Sequence, residues 1–147
     1  MAPEATSDVT LRIERIYPFP PERIFDAWTT PESLKQWFAP SPQFTTIVHE
    51  MEPRVGGRYR IEMRSPDGNP HIAFGTFEVV DRPHRLVFSW SWEQTNDAQG
   101  SRVTLQLDRD GSGTRLVLVH ERLATAAQRE SHAKGWNGIL EQLAGLR

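Results

Sequence analysis

Cysteine is absent from this chain of 147 residues, so neither a disulfide framework nor thiolate chemistry is available to it. A cysteine-free chain fits a reducing compartment, and the cytoplasm is the expected location. No apolar run approaches the roughly 20 residues that a membrane-spanning helix needs. Met1 to Asp8 lack the basic patch and apolar stretch of a secretory signal. A dominant charge is missing too. The net charge is -2 and the cations are scattered without a basic stripe, which argues against nucleic acid as a partner. His49, His71, His84, His120 and His132 show neither H-x-H nor H-E-x-x-H spacing, so no metal and no cofactor is expected. G-x-S-x-G is absent, and no catalytic residue is assigned. What remains is 37% hydrophobic and 24% charged, the composition of an ordinary globular domain. The length predicts one domain over residues 9–147, after a flexible lead at residues 1–8.

Apolar periodicity orders the rest. Val9, Leu11 and Ile13 alternate with polar neighbours as in a half-buried strand. Pro21 suits the first position of a helix that carries Ile24, Phe25 and Trp28 on one face. Thr30 as N-cap and Pro31 open a second short helix presenting Leu34, Trp37 and Phe38. Strands follow: Phe44 to Met51 in uncertain phase, then Tyr59, Ile61 and Met63 against a wet face of Arg58, Arg60, Glu62 and Arg64. Gly56 and Gly57 supply the positive φ of the turn between them. The next apolar phase runs Ile72, Phe74, then Phe77, Val79, and the slip at Gly75-Thr76 predicts a β-bulge that curls the sheet. Leu86, Phe88, Trp90 and Trp92 follow, then Val103, Leu105 and Leu107, then Leu116, Leu118 and His120. Short connections make an antiparallel meander the natural topology. From Thr125 to Gly145 the period becomes helical, with His132, Ala133, Trp136, Ile139, Leu140 and Leu143 on one face. Without a second helical layer, that helix has to bury its stripe on the sheet.

Several stretches carry a family signature: residues 20–29, 34–40, Arg54-Val55-Gly56-Gly57-Arg58-Tyr59, Arg85 to Trp90, Gly113 to His120, and Gly135-Trp136. Together they resemble the SRPBCC superfamily, and within it the branch similar to the C-terminal domain of the activator of heat-shock protein 90 ATPase. Pro53 departs from that pattern, standing where an acidic residue is common. The resemblance implies an α+β helix-grip (START-like) fold: a curved seven-stranded antiparallel sheet around a long C-terminal helix, with two short helices after the first strand. It does not fix an activity, because one fold hosts unrelated functions.

A bent sheet gripping one helix encloses a concavity, and the inward positions name its expected walls: Trp28, Trp37, Phe38, Tyr59, Ile61, Phe74, Phe88, Trp90, Leu105, Leu118, His120, Trp136 and Leu140. Gly135 and Gly138 are expected to help keep the space open. Large aromatics build cores as readily as pocket walls, so Trp90 and Trp92 admit both readings. His120 reads either as a satisfied core residue or as a polar handle for a ligand; His132 is expected in solvent near the helix start. His49 and Glu50 should face opposite ways. Arg54, Arg58, Arg60 and Arg64 read as a solvated face, with one of them available to an anion. The function expected first is binding of a small hydrophobic or aromatic molecule. A polyketide cyclase-like or aromatase-like enzyme using His120 with Glu50 or Tyr59 comes second. A co-chaperone or stress-related interaction domain comes third, with a homodimer if Trp37 and Phe38 form an exposed patch.

Overall fold

The computed structural model describes residues 9–146, so the expected lead at residues 1–8 lies outside it. The chain runs β1 (Val9–Tyr17), α1 (Pro21–Thr29), α2 (Pro31–Trp37), β2 (Thr45–Met51), β3 (Arg58–Arg64), β4 (Pro70–Asp81), β5 (Arg85–Trp92), β6 (Ser101–Asp110), β7 (Gly113–Leu123) and α3 (Ala126–Leu143). β2 to β7 form the expected meander, and β1 returns to pair with β7, giving one antiparallel sheet in the order β1-β7-β6-β5-β4-β3-β2. This is the α+β helix-grip arrangement, with α3 laid across the inner face. Among the described residues no helix is long and apolar enough to cross a membrane.

Local chemistry explains the boundaries. Pro21 and Pro31 each occupy a helix's first turn, where a missing N–H leaves nothing unbonded. Thr30 takes the N-cap position of α2, but its hydroxyl makes no capping bond. Thr125 does cap: its side chain accepts from the Gln128 N–H at 3.1 Å. Gln128 Oε1 reaches back to the Ala124 N–H and across to the Ala98 N–H, both at 3.2 Å. One side chain thereby ties the start of α3 to the β5–β6 loop. The buried face of α3 is His132, Trp136, Ile139, Leu140 and Leu143. Its apolar residues share one core cluster with Leu105, Leu107, Leu116 and Leu118, each wholly buried and each contributing about 2 kcal/mol by leaving water. Tyr17 Oη donates to the Leu140 carbonyl at 2.8 Å and anchors the far end of the helix.

Three details depart from the periodicity. In β4 the inward phase is Ala73, Gly75 and Phe77, because Tyr59 pairs with Gly75 and Ile61 with Ala73. Ile72 and Phe74 therefore face outward, and the register slip falls between Phe77 and Val79. At Gly75 the ladder with β5 is interrupted rather than bulged. Ser89 Oγ accepts from the Thr76 N–H at 2.9 Å, and a Cβ on Gly75 would lie 2.1 Å from the Ser89 carbonyl oxygen. Secondly, the wet face of β3 holds a buried acid. Glu62 is only 4% exposed, bonded to His49 Nε2 at 2.8 Å and to Arg64 Nε at 2.9 Å, and these partners hold its carboxyl below the usual carboxylate range. Thirdly, of the paired glycines only Gly56 has a positive φ (84°). Gly57 is needed for room, since a Cβ there would meet the Glu52 carbonyl oxygen at 2.0 Å.

Candidate functional site

An opening of about 240 Å3 sits at one end of the space between α3 and the sheet. Trp90 and Trp92 reach it from the end of β5, Met63 from β3 and His71 from β4. α3 supplies Ser131, His132, Gly135, Trp136 and Ile139. Pro40, from the segment after α2, closes one side, and the β5–β6 loop contributes Gln94, Thr95 and Asp97 at the rim. That loop is fastened on three sides. Gln94 Oε1 accepts from the Ile72 N–H at 3.0 Å, Ser91 Oγ accepts from the Gly100 N–H at 2.8 Å, and Gln128 holds Ala98. Buried Ala98 is kept at φ 58°, a left-handed conformation that a non-glycine residue occupies at a cost of about 1–2 kcal/mol.

Two indole-to-imidazole bonds fix the tryptophan walls. Trp136 Nε1 donates to His120 Nδ1 and Trp92 Nε1 donates to His132 Nε2, each at 3.0 Å. Indole can only donate, so both accepting nitrogens are unprotonated, and each imidazole carries its hydrogen on the other side. His120 Nε2 therefore donates to Ser101 Oγ at 2.8 Å, and Ser101 Oγ passes a hydrogen to the Trp90 carbonyl at 2.9 Å. His132 Nδ1 donates to the Gln128 carbonyl at 2.8 Å. The two imidazoles stand edge to face, 5.0 Å apart. Burial, reinforced by His132, pushes the pKa of His120 down to about 3, so this ring is neutral at physiological pH. Both of its nitrogens are consumed by the protein itself. His120 is therefore the satisfied core residue of the two readings, and it does not line the opening. His132 is the correction in the opposite sense: only 9% exposed, it stands in the wall and not in solvent.

The other expected wall residues divide sharply. Trp90 and Trp136 line the opening. Trp28, Phe38, Tyr59, Ile61 and Phe88 surround instead a void of about 20 Å3, enough for one water, which Trp90 also touches. Their rings interlock: Trp28 meets Trp37 at 5.0 Å between centroids, Phe38 at 5.8 Å and Trp136 at 6.2 Å, and Tyr59 meets Phe88 edge-on at 5.5 Å. Trp37, Leu105, Leu118 and Leu140 are packed core and line neither space. Phe74 lies on the outer face of β4, away from both. Gly135 does keep room, with nothing within 4 Å of where its Cβ would stand. Gly138 serves packing: a Cβ there would lie 2.1 Å from the Pro40 carbonyl oxygen. Arg54, Arg58, Arg60 and Arg64 are paired with Glu52, Glu50, Glu93 and Glu62, so none is held ready for an anion. Trp37 and Phe38, 4% and 2% exposed, form no surface patch for a dimer.

The sequence reading missed Met63, His71, Gln94, Thr95, Asp97 and Ser131 as wall residues. The loop residues had no periodicity to betray them. The Thr-x-x-Gln capping pattern at Thr125 and Gln128 marks the start of α3 but carries no sign that this loop meets it.

Solved structures share the architecture over nearly the whole chain. A protein from Chromobacterium violaceum is 29% identical with a TM-score of 0.86, the match covering 93% of this chain and 95% of that one. The AHSA1 protein from Silicibacter pomeroyi is 24% identical with a TM-score of 0.82, covering 93% and 96%. A protein from Mycobacterium smegmatis is 23% identical with a TM-score of 0.79, covering 93% and 89%. No curated protein matches the chain. The family described as "Activator of Hsp90 ATPase homolog 1-like protein" matches residues 18–146, and with the helix-grip fold already on the page the chain belongs to that family, a branch of the SRPBCC superfamily.

Proposed function

We propose that the domain binds a small, flat, largely apolar molecule in the opening between α3, the end of β5 and the β5–β6 loop. The observation that supports this reading is an open space of about 240 Å3 whose aromatic walls are set in advance, since the Trp92 and Trp136 indoles are pinned by His132 and His120. An apolar cavity of roughly 150 Å3 holds benzene, so a single substituted ring fits without rearrangement. Walls that need no reordering on binding save the entropy of fixing them then.

The enzyme reading has lost the groups it named. His120 is neutral and doubly bonded, Tyr59 Oη donates to the Ser89 carbonyl at 2.5 Å, and Glu50 pairs with Arg58. The co-chaperone reading rests on the family description, and the Trp37–Phe38 patch that would have carried it is buried.

Thermal shift and tryptophan quenching with one- and two-ring aromatics test the binding reading. A molecule at a hundredfold excess over its Kd should add about 2.7 kcal/mol of stability. Gly135→Leu, which projects a side chain into the opening, should keep the fold and remove the effect. Absence of stabilisation and quenching across the panel sinks the proposal.

A further inference from the structure

We infer that the opening selects organic cations: an aromatic or alkyl group inside, with a protonated or quaternary amine at the mouth. This deepens the binding reading and rests on it. Asp97 is the only carboxylate among the lining residues, and no arginine or lysine lines the space. Asp97 is exposed and has no ion-pair partner among the described residues; its one side-chain bond is a long one, 3.4 Å, from Gln128 Nε2. An ammonium at the mouth would be the first cation to meet it. Below lie three indoles, Trp90 with Trp92 at 5.3 Å and Trp136 at 4.9 Å between ring centroids. Indole faces attract cations more strongly than any other aromatic side chain.

The donors argue in the same direction. A carboxylate or phosphate ligand needs N–H groups or cationic side chains. The Trp92 and Trp136 N–H groups are already given to histidines, the Trp90 N–H is unpaired but wholly buried, and the rest of the polar wall offers an anion Ser131, Thr95, the Gln94 amide and the His71 imidazole. An anion entering here would face the unpaired Asp97 with no arginine or lysine on the wall to offset it. The site therefore discriminates by sign of charge at its mouth and by flatness inside.

Three probes of one shape separate this inference from the reading beneath it: phenethylammonium, phenethyl alcohol and phenylacetate, titrated calorimetrically at low salt into the intact protein. Phenethylammonium should bind about three- to tenfold more tightly than the alcohol, and phenylacetate more weakly than both. Asp97→Asn keeps the acceptor for Gln128 and removes the charge. It should cut the cation's affinity about threefold or more and leave the alcohol unchanged, and added salt should weaken only the cation. Equal binding of cation and alcohol, tightest binding of phenylacetate, or an unchanged preference in Asp97→Asn would overturn the charge inference while the pocket stood. Failure of all three probes would remove the pocket reading and this one with it.

Discussion

Around Trp28, Phe38 and Phe88 the space between helices and sheet is filled to a void of about 20 Å3, whereas around Trp90, Trp92 and Trp136 it opens to about 240 Å3. Aromatic content does not separate these ends, since both are rich in large rings. What differs is the opposing element. α1 and α2 drive Trp28, Leu34 and Phe38 into one end, while α3 presents Gly135 to the other, and the β5–β6 loop is held back from the gap by Gln94 and Gln128. The closed end is held by apolar packing. The open end is held by a polar chain from Trp136 through His120 and Ser101 to the Trp90 carbonyl.

That difference makes the open end the acid-labile one. His120 has a folded pKa of about 3 against an ordinary value of 6.5, so the unfolded chain binds the extra proton between those values. The contribution is complete above pH 6.5 and is lost as pH falls toward 3. It declines by about 1.4 kcal/mol per pH unit, roughly 4–5 kcal/mol in all. Urea denaturation between pH 7 and pH 5, above the range where most carboxylates titrate, should show about 2 kcal/mol of this loss in the native protein and not in His120→Gln. Parallel slopes would mean that the imidazole is not held neutral and that the polar chain does not secure the open end.

Truncations probe the contrast next. Phe88→Ala removes a ring wedged among Trp28, Tyr59, Phe77 and Trp90, and should cost about 3–5 kcal/mol. Trp92→Ala removes a half-buried ring beside space that already exists, and should cost less, below about 3 kcal/mol. Equal losses in urea melts would erase the distinction between filled and open ends.

Much of the frame was legible in the residues. Alternation in β1, β3, β5, β6 and β7 and the helical face of α3 follow from where large apolar side chains recur. β4 misled because its inward residues, Ala73 and Gly75, are small, while Ile72 and Phe74 are large and face outward. Small residues sit inside there because Tyr59 and Ile61 lie beside them on β3. Glu62 misled for a different reason: an acid in a wet phase becomes buried only when long side chains fold over it, as His49 and Arg64 do. The site was read as the convergence of all inward aromatics. Its location depended instead on which facing positions lack bulk and on a polar loop, and periodicity reports neither. Trp90, Trp136 and Gly135 border the larger opening, whereas Trp37, Leu105, Leu118 and Leu140 are packed into the core.

The two α3 glycines sharpen the comparison at its smaller scale. Gly138→Ala pushes a methyl onto the Pro40 carbonyl, which must retreat together with the segment after α2, and should destabilise by about 1–3 kcal/mol. The same substitution three residues earlier should have the reverse sign. Gly135 lies within the helix and a Cβ there meets nothing within 4 Å, so alanine's better helix propensity acts unopposed, for a gain of up to about 1 kcal/mol. The added methyl also stands in the opening, so Gly135→Ala should melt higher when empty and respond less to a bound aromatic. Glycine at that position costs helix stability and leaves the space beside it open. A Gly135→Ala protein that is less stable than the native one would show that the space is not open, and the contrast between the two ends would fail at its narrowest point.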